Sequence, residues 1–304
     1  RNATDNKDSI PFFAPERETF LEYDVTQLCF TLANPKKRTI GLMTALPLNG
    51  GTSPMRQQPM PPWMIMGQIR EFFDVKTVDQ DVKEIPSGLD VLMVAQPAKL
   101  TPQAAYAIDQ YALKGGKVLM FIDPAAESAQ LQMMQEPGEG RTHLAVVLKG
   151  WGVNFDGTKV AADIRNARRV QFGGGADGMV TEFVAWLGLD KSAINPRDVL
   201  SAGIDVINVA SAGHLSKIDG TSIEVMPIVE TSADAAEIGA DKVGFGADPL
   251  GLLRSYTPGG KKLTLAARLS GEAKSAFPEG KPKAEASGTA EAATNANASE
   301  QKPA

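Results

Sequence analysis

The 304 residues carry 31 Lys and Arg against 36 Asp and Glu, a net charge of -5, with 43% hydrophobic residues and a single Cys. One Cys cannot form an internal bridge, so a disulfide-stapled miniature fold is excluded, while the apolar content suffices for one large or two ordinary domains. The mild acidity, with a pI of about 5.3, argues against a general nucleic-acid binder, which needs a cationic surface for phosphates.

The first nine residues are polar and read as a disordered lead. The core is expected from Ile10-Pro11-Phe12-Phe13. Pro15 to Leu32 reads as a strand followed by a helix capped by Asp24, ended by Asn34-Pro35, because Pro lacks an N–H and excludes the helical conformation at its predecessor. Thr39 to Leu46 is a short apolar run that predicts a buried strand. Pro61 and Pro62 are expected to open a helix with Trp63, Met66, Ile69 and Phe73 along one face. Asp74–Val78 alternates as an edge strand would, and Val91–Ala95 reads as a further strand. Thr101 and Pro102 start a helix that Gly115-Gly116 ends, and Lys117–Ile122 forms a fourth strand closing on Asp123-Pro124.

Strands alternating with helices predict parallel βαβ units. The expected fold class is therefore α/β, a doubly wound, mostly parallel sheet of flavodoxin type, occupying residues 10–135. Residues 136–278 are less periodic and read as an irregular α+β continuation or subdomain. There, helices are expected at Arg141–Lys149 and Val180–Leu187, and strands near Lys159–Ala162, Val206–Val209 and Ile223–Val229. Beyond Phe277 no aliphatic or aromatic residue is larger than Ala, so 279–304 reads as a disordered Ala/Glu/Lys/Pro-rich tail: it cannot offset the roughly 1 to 2 kcal/mol per residue that backbone ordering costs.

Ligands of such sheets bind beyond the carboxyl ends of the strands. That rule places Gly50, Gly51, Gln96, Asp123 and Glu127 on one candidate rim. Gly50-Gly51 could offer backbone N–H groups to an anion, and Asp123 and Glu127 could form a carboxylate pair. The competing reading is that these residues simply turn the chain. Gly115-Gly116-Lys117, Gly259-Gly260-Lys261 and the Gly173–Gly178 run lack the spacing and context of a phosphate loop. No Gly-x-Ser-x-Gly or Gly-x-Cys-x-Gly elbow exists, so no catalytic residue is assigned. Cys29, between Leu28 and Phe30, is expected to be buried and inert. Two histidines, His143 and His214, cannot make a His-rich metal site, and no metal or cofactor is expected. Arg165, Arg168 and Arg169 read as a solvated face, and Lys36-Lys37-Arg38 as the lead into a strand. Contact with a partner or a lipid headgroup is the sharper alternative for either cluster.

Several stretches together resemble the ABC-transporter auxiliary proteins of the gliding-motility type. They are Ser9–Phe13, Glu16–Thr26, Tyr106–Tyr111 with Gly115-Gly116 and Phe121–Pro124, Ala267–Gly271 and Lys274–Pro278. The resemblance spans about Ser9 to Pro282. It implies a class I glutamine amidotransferase-like fold without the catalytic Cys, on the periplasmic or extracytoplasmic face of a bacterial inner membrane. It also implies work beside an ABC-2-type permease and a separate ATPase, and the chain is expected to bind that permease complex or an exported molecule. No run of roughly 18 apolar residues and no signal-peptide core is present, so the chain reads as a soluble excerpt anchored by helices outside it. The function expected is a non-catalytic accessory domain. The alternatives are a small-molecule sensor or hydrolase working at the rim, or a structural spacer. An interaction module should expose an apolar patch, for which Met55, Met60, Trp63 and Met64 are candidates.

Overall fold

The computed structural model describes residues 9, 15, 18, 21–33, 36–52, 58–127, 139–172, 178–244 and 246–283. The chain enters through α1 (Leu21–Ala33), which ends before Asn34-Pro35 as expected. Asp24 lies within the first turn of α1 instead of capping it, and the strand expected before the helix falls mostly outside the described residues. Apolar side chains occur all round this helix, so it cannot bury them all on one body. Cys29 is consequently exposed, which corrects the expectation of a buried thiol.

Four parallel strands follow: β1 (Arg38–Thr44), β4 (Phe73–Thr77), β5 (Val91–Ala95) and β6 (Val118–Phe121), in the spatial order β4-β1-β5-β6. A two-residue antiparallel pair, β2 (Gly51–Thr52) and β3 (Pro59–Met60), interrupts the first crossover. Successive side chains of β1 point to opposite faces. Leu42 joins Leu48, Met66 and Ala95 beneath α2 (Met64–Phe72). Met43 joins Leu92, Val94, Ala104, Ile108, Leu144 and Val147 beneath α3 (Pro102–Leu113) and α4 (Glu139–Gly150). Both faces of its central strands β1 and β5 are therefore covered, which is why these two read as unbroken apolar runs.

Local signals explain the helix limits. Thr101 Oγ1 accepts from Ala104 N at 3.2 Å, Pro102 sits in the first turn of α3, and Gly115 takes φ +89 just past its end. In α2 the expectation needs correction. Trp63 is extended at φ -63, ψ 145 and donates its N–H to Leu48 O at 3.0 Å, so the helix starts at Met64, two residues after the proline pair. Phe73 leaves the helix for β4, and of the expected apolar face only Met66 is buried.

The second half is antiparallel. It comprises β7 (Val153–Phe155), β8 (Lys159–Asp163), β9 (Ala167–Phe172), β10 (Met179–Asp190), β11 (Val206–Ala210), β12 (Leu215–Lys217), β13 (Glu224–Glu230), β14 (Ala235–Gly239), α5 (Pro249–Arg254) and β15 (Thr264–Ser270). Its sheets run β11-β10-β9, β13-β15-β12-β7 and β14-β8. The expected helix at Val180–Leu187 is instead part of β10. Val180, Phe183, Val184 and Leu187 mimic helical spacing, but the register against β9 shifts between Phe183 and Leu187. That bulge breaks the two-residue alternation and leaves Phe183, Val184 and Ala185 all buried. The doubly wound, mostly parallel fold expected for the chain thus reduces to a mixed α/β architecture: one four-stranded parallel sheet with antiparallel sheets beside it.

Buried carboxylates fasten the parts. Asp109 on α3 accepts from Trp151 Nε1 (2.9 Å) and Ala276 N (3.2 Å) on one oxygen, and from Ser275 Oγ (2.7 Å) and Gln110 Nε2 (3.0 Å) on the other. Asp163, at the end of β8, accepts from Arg165 N, Asn166 Nδ2 and both the N–H and hydroxyl of Ser232, at 2.6–3.0 Å. Tyr256 donates to Ala162 O at 3.2 Å and to Asp234 O, and burial pushes its phenol up to about 12.

Candidate functional site

The chain leaves β1 toward β4 on one side and returns to β5 on the other, so the order reverses between β1 and β5, and the rim where a ligand would meet the parallel sheet runs along the carboxyl ends of β1, β5 and β6. Gln96 follows β5 at φ +44, a conformation that costs a non-glycine residue about 1 kcal/mol or more. Its N–H donates to Phe121 O at 3.0 Å, and its side-chain Nε2 donates to Asp123 Oδ2 at 3.3 Å. Asp123 Oδ1 accepts from Gly213 N at 3.3 Å. Glu127 turns to other donors, accepting on Oε1 from Ser211 Oγ at 2.7 Å and from Trp186 Nε1 at 3.0 Å. Ser211 is buried, is the second non-glycine residue at positive φ (+53) among those described, and donates its N–H to Ala185 O at 2.9 Å.

The structure therefore brings Gln96 and Asp123 together and takes Glu127 to a different set of partners. The two carboxylates bond across to the segment after β11, joining the parallel sheet to the antiparallel half. Gly50 precedes β2 and Gly51 opens it. At φ +81 Gly50 packs where a Cβ would lie 2.5 Å from Met60 O, and Arg70 Nη2 donates to Asn49 Oδ1 at 2.6 Å, so this loop is folded onto α2. Ser211, Gly213 and Trp186 were not identified from sequence. The signal for Ser211 and Gly213 is the small-residue run Ala210-Ser211-Ala212-Gly213 after a strand, with partners 84 and 90 residues away, and Trp186 reaches Glu127 across 59 residues.

The remaining singled-out residues have other partners. Lys37 Nζ donates to Arg70 O at 2.7 Å, near the carbonyl end of α2, where a cation is favourable. His143 Nδ1 lies 2.6 Å from Leu100 O. His214 is buried with Nε2 3.5 Å from Glu237 Oε1, without hydrogen-bond alignment, and burial outweighs that carboxylate to hold its imidazole below the usual range. Arg165 pairs with Asp234, Arg169 lies 4.0 Å from Glu182, and all three clustered arginines are exposed. Among the described residues no group of three or more His, Cys, Asp or Glu is placed to hold a metal ion. Met64 is 87% exposed and Trp63 and Ile65 are exposed beside it, whereas Met60 is half-buried and Met55 lies outside the described residues.

Beside the rim opens a groove of about 1150 Å3. One wall is β6, whose Leu119 and Phe121 are 45% and 48% exposed although they stand in a sheet strand. The opposite walls are Ile207 and Val209 of β11 and Leu265 and Leu269 of β15. Both β6 and β11 end their sheets, with no further strand on their outer edges among the described residues. Arg268, also on the wall, donates to the buried Asp198 Oδ1 at 2.5 Å, while Asp198 Oδ2 has no hydrogen-bond partner. The groove thus offers apolar side chains together with strand edges whose backbone groups can pair.

No described helix is long and apolar enough to cross a membrane. Comparison with curated proteins and with solved structures yields no match. A family model described as an ABC-type uncharacterized transport system matches residues 37–302, which takes in the parallel sheet, the rim and the whole antiparallel half. The chain belongs to this ABC-type uncharacterized transport system family, whose members are auxiliary components of such systems.

Proposed function

We propose that the chain is a non-catalytic, extracytoplasmic accessory domain that docks an extended segment of the permease in the β6/β11 groove, with the ATPase reached through that permease. We further read its parallel sheet as flavodoxin-type, on the strand order β4-β1-β5-β6 and the helices on both faces. The observation that carries the proposal is the groove. Two strand edges with no further strand paired to them among the described residues flank exposed Leu119 and Phe121, the arrangement in which an added strand gains main-chain hydrogen bonds and side-chain pockets together. A non-catalytic role is supported by the rim, where Asp123 and Glu127 accept hydrogen bonds from neighbouring strands.

The test is affinity capture of the full-length protein from gently solubilised native membranes, comparing wild type with the double variant Leu119→Lys, Phe121→Lys. Both positions are half exposed, so the variant is expected to stay folded, within about 1 kcal/mol of wild type by denaturant titration. The expected result is recovery of permease and ATPase with wild type and their loss with the variant. Equal recovery with a folded variant refutes docking at β6.

A further inference from the structure

On the outer face of the β11-β10-β9 sheet lies a second, smaller depression of about 440 Å3, a size suited to small-ligand sites. Its lining sets Arg168, Arg169, Gln171, Trp186 and Asn208 among apolar side chains such as Val170 and Leu187. Three features shape it. Trp186 is 37% exposed, yet its ring is held in place, because Nε1 donates to Glu127 and one side packs on Phe183 with centroids 5.5 Å apart. Arg168 has no ion-pair partner among the described residues, and neither Asn208 nor Gln171 makes a side-chain hydrogen bond among them. Gly188 sits near the end of β10, between Arg168 and Asn208. A Cβ there would meet Arg168 Cδ at 2.9 Å and Asn208 Oδ1 at 3.5 Å. The backbone of Gly188 is not in the left-handed region, so what the glycine provides there is room for the Arg168 side chain in its present position. A glycine inside a strand marks close approach of another group, here the Arg168 side chain crossing the strand.

An exposed, oriented indole offers a flat apolar face, and three planar polar groups beside it offer donors and an acceptor at their edges. A sugar ring has the matching chemistry, with an apolar C–H face and hydroxyls around its rim. The uncompensated guanidinium adds a preference for a carboxylate, which it can grip through two parallel N–H donors. We propose that the Arg168–Trp186–Asn208 shelf is a binding site for a carboxylated sugar unit of a glycan.

The test titrates the full chain with tri-galacturonic acid and, separately, with the neutral cellotriose, following tryptophan fluorescence and heat of binding. Saturable binding of tri-galacturonic acid is expected, at least about tenfold tighter than cellotriose, the scale of one charge-assisted contact. R168Q should remove that preference and leave cellotriose binding unchanged. G188A should act in the same direction by pushing the flexible Arg168 side chain off the shelf, and it guards against a failure specific to the first variant. Matching melting temperatures confirm that both are folded. No saturation by about 10 mM, equal affinity for the two sugars, or binding that both variants leave intact would each overturn the proposal.

Discussion

Asp109 has no exposed surface, yet four donors from three parts of the chain converge on it. A buried carboxylate is tolerable only when its oxygens are hydrogen-bonded. Here those bonds draw Trp151 and the Ser275–Phe277 segment onto α3, helped by an edge-on ring contact between Tyr106 and Phe277 with centroids 5.5 Å apart. The stretches Tyr106–Tyr111 and Lys274–Pro278, noticed in sequence only for their resemblance, are therefore one joint. Asp109→Ala strands the buried Trp151 Nε1 and the half-buried Ser275 and Ala276 donors and should cost roughly 3 kcal/mol in denaturant unfolding; a loss below about 1 kcal/mol would show that the joint contributes little. His214 gives a pH signature. Its folded pKa lies below the unfolded value of about 6.5. Below that pH the unfolded chain binds more protons, so stability falls as pH drops from about 6.5 toward the lower folded pKa, and His214 adds no slope above it. His214→Gln should flatten that part of the stability profile below about pH 6.5, and an unchanged slope would assign the acid sensitivity to other groups.

Among the elements, legibility followed the range of the interactions. The α3 helix was readable because its cap, first-turn proline and terminal glycine all act within a few residues, and each does what its chemistry allows. The β10 strand was not, because its bulge is set by β9 and its burial by α5 and β8, none of which a local window contains. The same division runs through the site. Gln96 and Asp123 could be found from their places just past strand ends, whereas Ser211, Gly213 and Trp186 reach them from the antiparallel half. Gly50 and Gly51 show the limit of such a signal, because a loop's glycines say that the backbone turns, not what it turns toward. β6 shows the opposite tension. Its apolar run reads as a buried strand, but it stands at a sheet edge with alternate residues exposed, and an uncovered apolar edge invites another strand.

At the scale of the whole molecule, the parallel sheet and the antiparallel half are joined by polar fasteners: Gln96–Asp123–Gly213, the Ser211 and Trp186 bonds to Glu127, and the Asp109 cluster. The groove lies where these two bodies meet, so a segment bound there would touch both. That placement makes it suitable for a domain that works by association within a transport assembly. The most direct measurement is site-specific photocrosslinking in native membranes, with a benzoylphenylalanine at position 119 on β6 and a control at position 76 on the far edge strand β4 of the same sheet. The account predicts an adduct with the permease from position 119 and none from position 76. No permease adduct at 119, or equal adducts at both, would contradict docking in the groove.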